Sequence, residues 1–182
     1  MSPGVWLKLG AITLALAVVL HVAAVWLVPF AIMRIFMARV TEQSGVNRVI
    51  AQRLPTDKSR SVVKPSPDLL YGLCVYDVGT GPVKVSIRPP ATYWSLALFD
   101  TNTDNFFKLN ANEITGGTAE LILGIGTDRA DAKLKFPSAT FVATPHAKGV
   151  MLARILVLDQ SNMGEAQAAQ QSVQCAAIGN RG

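Results

Sequence analysis

Asp100, Asp104 and Asn105 crowd one short polar segment, and paired carboxylates so spaced are suited to acid–base work or to holding a cation. Asp and Asn also bond readily to turn backbone and tolerate left-handed conformations, which makes a structural turn the stronger reading. Asp68, between Pro67 and Leu69, and Asp77, ahead of Gly79-Thr80-Gly81, are read in the same way. His146 follows Pro145, and the other histidine, His21, lies in an apolar run, so no two histidines of the soluble part can share a metal. Gly124-x-Gly126 begins like a dinucleotide fingerprint, but Arg129 stands where the third Gly belongs, and a turn is expected. With no Ser-His-Asp order, Cys-His pair or phosphate loop, no catalytic residue is assigned and neither metal nor cofactor is expected. Tyr71, Tyr76, Tyr93 and Trp94 supply core or rim area, or line an apolar pocket; Tyr76 and Trp94 adjoin only if their strands pair.

The elements carrying these residues follow from a period of two. Leu69 to Val78 ends at Gly79-Thr80-Gly81-Pro82, and Val83, Val85 and Ile87 then alternate with Lys84, Ser86 and Arg88, which predicts a hairpin with the apolar residues on one buried face. Thr92–Phe99, Phe106–Leu109, Ala119–Ile125, Thr140–Ala143 and Val150–Leu158 are further strands, and Met163 to Cys175 reads as a terminal helix. The expected fold is mainly β, an antiparallel, jelly-roll-like β-sandwich with one N-terminal transmembrane helix and a short C-terminal helix.

The transmembrane helix is read from Ala11 to Ala31, 21 residues without a charge, reaching about 31 Å at helical rise. A cleaved signal peptide is the rival, but the run exceeds a usual signal core and no small-x-small site opens onto a polar start before Arg34. Pro29 predicts a kink, after which Ile32, Ile35, Phe36, Arg39 and Val40 recur at helical spacing as an interfacial segment. His21 is read as a neutral imidazole facing a partner helix or snorkelling, in preference to a proton-relay residue or an unusual ligand. The organisation is thus an anchor with its interfacial extension over residues 1–40, a basic polar connector over 41–60 with a possible short helix from Val46 to Leu54, and a domain over 61–182 starting near Ser61.

Residues 1–66 hold eight Lys/Arg against Glu42 and Asp57, whereas residues 67–182 hold nine against ten acidic residues. The basic excess sits beside the anchor, which points to lipid headgroups as the partner and away from nucleic acid. Lys8 on one side and Arg34, Arg39 and Arg48 less Glu42 on the other lean slightly towards a cytoplasmic domain. The two cysteines, Cys74 and Cys175, lean the other way, although spacing alone does not pair them.

Pro67-Asp68-Leu69-Leu70-Tyr71-Gly72, Tyr76-Asp77-Val78 with Gly81-Pro82-Val83, Tyr93 through Asp100, and Asp104-Asn105-Phe106 occur in one order. Together with Val46-Asn47 ahead of them, they resemble the short, membrane-anchored form of the bacterial family known as domain of unknown function 1254. The resemblance implies a β-sandwich in a bacterial cell envelope, with Asp68, Tyr71, Tyr93, Asp100 and Asn105 as the positions to test. Many relatives carry a second module, domain of unknown function 1214, for which this chain is too short, so the resemblance implies either a separate protein of that type as partner or loss of the pocket that module would complete. The same resemblance, with the paired cysteine count, implies a periplasmic domain, single-pass inner-membrane anchoring and a Cys74–Cys175 bridge. It brings no catalytic set, and a non-catalytic interaction module is therefore preferred over a small-ligand-binding or hydrolase-like domain sited around Asp100–Phe106.

Overall fold

The computed structural model describes residues 2–56, 58–59, 65–114 and 117–179, and among these residues one long helix and nine strands in two sheets make up the larger part. Helix α1 covers Pro3–Ser44, and the strands are β1 (Ile50–Ala51), β2 (Leu69–Asp77), β3 (Val83–Ile87), β4 (Trp94–Phe99), β5 (Asn105–Asn110), β6 (Ala119–Gly124), β7 (Thr140–Ala143), β8 (Lys148–Leu156) and β9 (Gln174–Ala177). Two short helices, α2 (Arg129–Lys135) and α3 (Met163–Gln171), lie between β6 and β7 and between β8 and β9. One sheet runs β1-β2-β8-β4-β5 and the other β7-β6-β3-β9.

This topology corrects four expectations. β2 and β3 do not form a hairpin: β2 pairs with β1 and β8, whereas β3 pairs with β6 and β9 in the other sheet. Both strands are interior and apolar enough to need two neighbours each, and the connection at residues 78–82 is long enough to cross between layers about 10 Å apart. β6 and β7 are parallel, which their intervening helix permits. A 3-10 turn at Gly126–Asp128 and then α2 open where only a turn was expected after Gly124. Finally, α3 stops at Gln171 and the chain returns to an extended form as β9, so that Cys175 lies on a strand.

Alternation then fixes the two faces. Val83, Val85 and Ile87 are fully buried between the sheets with Cys74, Tyr76, Trp94, Leu96, Leu98, Leu121, Leu123, Met151 and Ile155. Each such aliphatic side chain contributes about 1.5–3 kcal/mol by leaving water. On the opposite face of β3, Lys84 is half-buried and pairs with Glu120 at 2.6 Å. Ser86, expected outward, is only 5 % exposed, because neighbouring strands on both sides cover it and Gln174 approaches its hydroxyl at 3.4 Å. The Cys74–Cys175 disulfide joins β2 to β9 and so ties one sheet to the other across a separation of 101 residues.

Helix α1 has two parts with different surroundings. Through the apolar run nothing covers it, and it passes Pro29 without interruption. Beyond Ala31, Met33 and Val40 are buried, with Phe36 and Met37 beside them, against Leu73 and Val75 of β2 and Val150 of β8. Spacings of three and four put these helix residues on one stripe, which covers the outer apolar face of the five-stranded sheet. The expected interfacial set is therefore divided: Phe36 and Val40 face the sheet, while Ile32 and Ile35 stay exposed.

Gly45, with φ of +80°, ends the helix, and Asn47, with φ of +56°, turns the chain onto the edge of β2. Asn47 donates its backbone N–H to the Val75 carbonyl at 2.8 Å and its side-chain amide to the Asp77 carbonyl at 3.1 Å. Its side-chain oxygen accepts from the Asp77 N–H at 2.8 Å. The amide thus imitates a backbone pair of a sheet before β1 pairs with Gly72 and Leu73. The segment from Val46 to Leu54 is not helical: Val46 and Asn47 form a turn, and Ile50–Ala51 joins the sheet as β1. The expected domain start near Ser61 lies outside the described residues.

Candidate functional site

The five positions singled out by sequence divide between opposite ends of the five-stranded sheet. Asp68 precedes β2 and Tyr93 precedes β4, while β8 runs antiparallel to both, so Asp68, Tyr71 and Tyr93 gather where β8 ends. Asp100 follows β4 and Asn105 opens β5, which puts them at the end where β8 begins. Along β4, Tyr93 and Asp100 lie seven steps apart, a distance of about 23 Å in an extended strand. The set does not converge. Tyr76 and Trp94 are likewise apart, paired with Gly149 and Ile155 at the two ends of β8.

At the first end, backbone atoms carry the contacts. The Asp68 carbonyl accepts from the Val157 N–H at 2.8 Å, and the Tyr93 carbonyl from the Leu156 N–H at 2.9 Å. The Tyr71 carbonyl accepts from the Gln52 N–H at 2.9 Å and from the buried Gln170 side-chain amide at 2.8 Å. Of the three, Tyr71 is the one whose own side chain bonds among the described residues, its hydroxyl accepting from the Ser66 N–H at 2.9 Å, while Asp68 is exposed and Tyr93 is half-exposed.

Side chains dominate the second end. The tight connection from β4 to β5 is closed by the Asp100 N–H on the Asp104 carbonyl at 2.9 Å and the Thr103 N–H on the Asp100 carbonyl at 3.1 Å. Asn102 donates to the Asp104 carboxylate at 2.5 Å and accepts from the Asp104 N–H at 3.1 Å. Asp104 and Asn102 thus serve the turn. Asn105 is exposed and pairs in register with Phe99, where the ladder carries a bulge.

Asp100 differs from these neighbours. It is 5 % exposed, and both carboxylate oxygens lie at 2.8–2.9 Å from His146 Nδ1. A carboxylate only accepts, so Nδ1 is the donor, which leaves Nε2 as the free ring nitrogen on a largely exposed side chain. Deeper in, the Tyr76 phenol is fully buried against Gly149 and has no hydrogen-bond partner among the described residues. Burial, and then the negative charge of Asp100, push its pKa well above the ordinary tyrosine range. Asp77 closes the rim: its carboxylate accepts from the Gly79 N–H at 2.9 Å and pairs with Lys148 at 3.3 Å.

A carboxylate that orients an imidazole is the supporting half of many acid–base and nucleophilic sites. Among the described residues no hydroxyl or thiol bonds the free ring nitrogen, and no three His, Cys, Asp or Glu side chains gather as a metal-holding group. Two clefts of about 310 Å³, one beside β1 and α3 and one beneath α2, are lined by none of the five positions. Sequence reasoning passed over His146 as a partner for Asp100 because 46 residues separate them. Only the pairing of β4 with β8 brings the residue after one strand beside the segment that leads into the other.

The two-sheet arrangement recurs in a solved structure. The crystal structure of the VPA0106 protein from Vibrio parahaemolyticus aligns with a TM-score of 0.61 at 14 % identity, covering 86 % of this chain and 37 % of the other. A putative uncharacterized protein from Burkholderia cenocepacia aligns with a TM-score of 0.46 at 13 % identity, over 76 % of this chain and 37 % of its own. This chain therefore spans little more than a third of either protein's length. None of the curated proteins matches it. The family match begins at Val46, where the helix gives way to the sheet edge, and ends with β9 at Ala177; over residues 46–177 the chain belongs to the family described as protein of unknown function DUF1254.

Proposed function

We propose that this protein is a membrane-anchored cell-envelope component whose β domain is a non-catalytic interaction module. The two sheets form a jelly-roll-like sandwich on the periplasmic side of a bacterial inner membrane, held by a single pass of α1. It acts with a separate protein of the companion type, domain of unknown function 1214. The observation that carries this reading is the separation of the five motif positions between two ends of one sheet. The disulfide is consistent with an oxidising compartment, and the longer Vibrio parahaemolyticus protein of related architecture leaves room for a further module.

The test is co-purification of the tagged full chain from membranes that also contain a separate companion-type protein. A stoichiometric complex that survives high salt is the expected result. A second reading, a small-ligand or hydrolase-like site around Asp100–Phe106, draws on the Asp100–His146 pair. Absence of the complex, with ligand binding or turnover that His146→Ala abolishes, would replace the first reading by the second.

A further inference from the structure

We infer that the β domain rests directly on the bilayer, and that the free side of the α1 extension, with Ile32, Arg34, Ile35 and Arg39, is its contact with anionic lipid headgroups. The inference rests on the anchor reading of α1 and deepens it. The helix is continuous from Pro3 to Ser44, so height above the membrane is set by rise along its axis. Met33, the first residue packed on the sheet, comes two residues after the apolar run, a rise of about 3 Å. No stalk separates the span from the domain, whose nearest edge lies at headgroup depth.

The sheet covers only one side of the helix there. Ile32 and Ile35 are 51 % and 54 % exposed, as open as residues of the span itself, although the docked stripe at the same level is buried. A soluble surface gains nothing from isoleucines in that position, whereas the boundary between acyl chains and headgroups accommodates them. Arg34 and Arg39 are exposed beside them and place cations at the level of the phosphates.

The experiment uses the full chain in vesicles of phosphatidylcholine with phosphatidylglycerol, carrying a single environment-sensitive label at position 19, 35 or 43 through Val19→Cys, Ile35→Cys or Gln43→Cys. All three side chains are exposed, so the labels leave the core intact. Lipid-borne quenchers should reach the labels at 19 and 35, and an aqueous quencher the label at 43. At position 35, a quencher carried on the anionic lipid should act about twofold more strongly than the same group on the zwitterionic lipid, and Arg34→Gln with Arg39→Gln should remove that preference. A label at 19 that is open to water would defeat the anchor reading itself. If the label at 19 is lipid-protected but that at 35 behaves like that at 43, the domain stands off the membrane and this inference fails. Lipid contact at 35 without preference for the anionic quencher would overturn the headgroup assignment.

Discussion

The two ends of the five-stranded sheet are built from similar residues, each with an aspartate and a tyrosine, yet they are held together differently. Where β8 ends, Asp68, Tyr71 and Tyr93 contribute mainly carbonyl oxygens, which any residue would supply. Where β8 begins, Asp100, His146, Tyr76 and Gly149 are matched through their particular side chains, or through the lack of one. Motif residues of the same type can thus report backbone geometry at one end and side-chain chemistry at the other. Substitution should separate the two, with stability read from denaturant midpoints of the full chain in detergent.

The largest effect is expected at Gly149. A Cβ there would overlap the Tyr76 hydroxyl and come within 2.5 Å of the Phe99 carbonyl, so Gly149→Ala should cost about 3 kcal/mol or more. Tyr76→Phe alone should be nearly neutral, since it removes an unpartnered hydroxyl, and in the double variant it should restore part of the loss. Equal losses in the single and double variants would mean that Tyr76 does not press on this glycine.

Next comes the buried carboxylate. Asp100→Asn should cost about 1.5–3 kcal/mol, whereas Asp68→Asn at the opposite end should cost less than about 0.5. His146→Ala should add little on top of Asp100→Asn, because the two act through one bond. Additive losses would assign Asp100 to some other partner.

The buried phenol makes a prediction about alkaline pH. Its folded-state pKa lies above the unfolded value of about 10, so its contribution is complete below pH 10 and is lost as the pH rises towards the folded value. Between pH 9 and 11 the chain should lose about 1.4 kcal/mol that Tyr76→Phe does not lose. Parallel curves for the two proteins would place the phenol in contact with water. The smallest effects belong to the other end: Tyr71→Phe should cost about 0.5–1 kcal/mol for the Ser66 bond, and Tyr93→Ala less than about 0.5. A larger loss at Tyr93 would erase the contrast between the ends.

Much of the local structure was legible in the residues alone. Alternation from Val83 to Ile87 identified a strand and its buried face, because period two is a property of the chain itself and a one-residue slip would invert it. The uncharged run similarly marked a helix long enough to cross a membrane. Its extension was only half legible. Ile32 and Ile35 share helical spacing with Met33, Phe36, Met37 and Val40, and which stripe is covered depends on the sheet that arrives beside it.

What the amino-acid sequence determined by itself was therefore what neighbouring residues decide among themselves: strand periodicity, the turn chemistry around Asp100, the apolar span and the uneven charge. The tertiary structure alone decided that β2 and β3 part into different sheets, that β9 follows α3, and that Asn47 seals an edge of β2. It also joined Asp100 to His146 and separated it from Tyr93. Each of these depends on which distant strands become neighbours, a choice settled by burying two faces at once, and no window of local sequence contains that information.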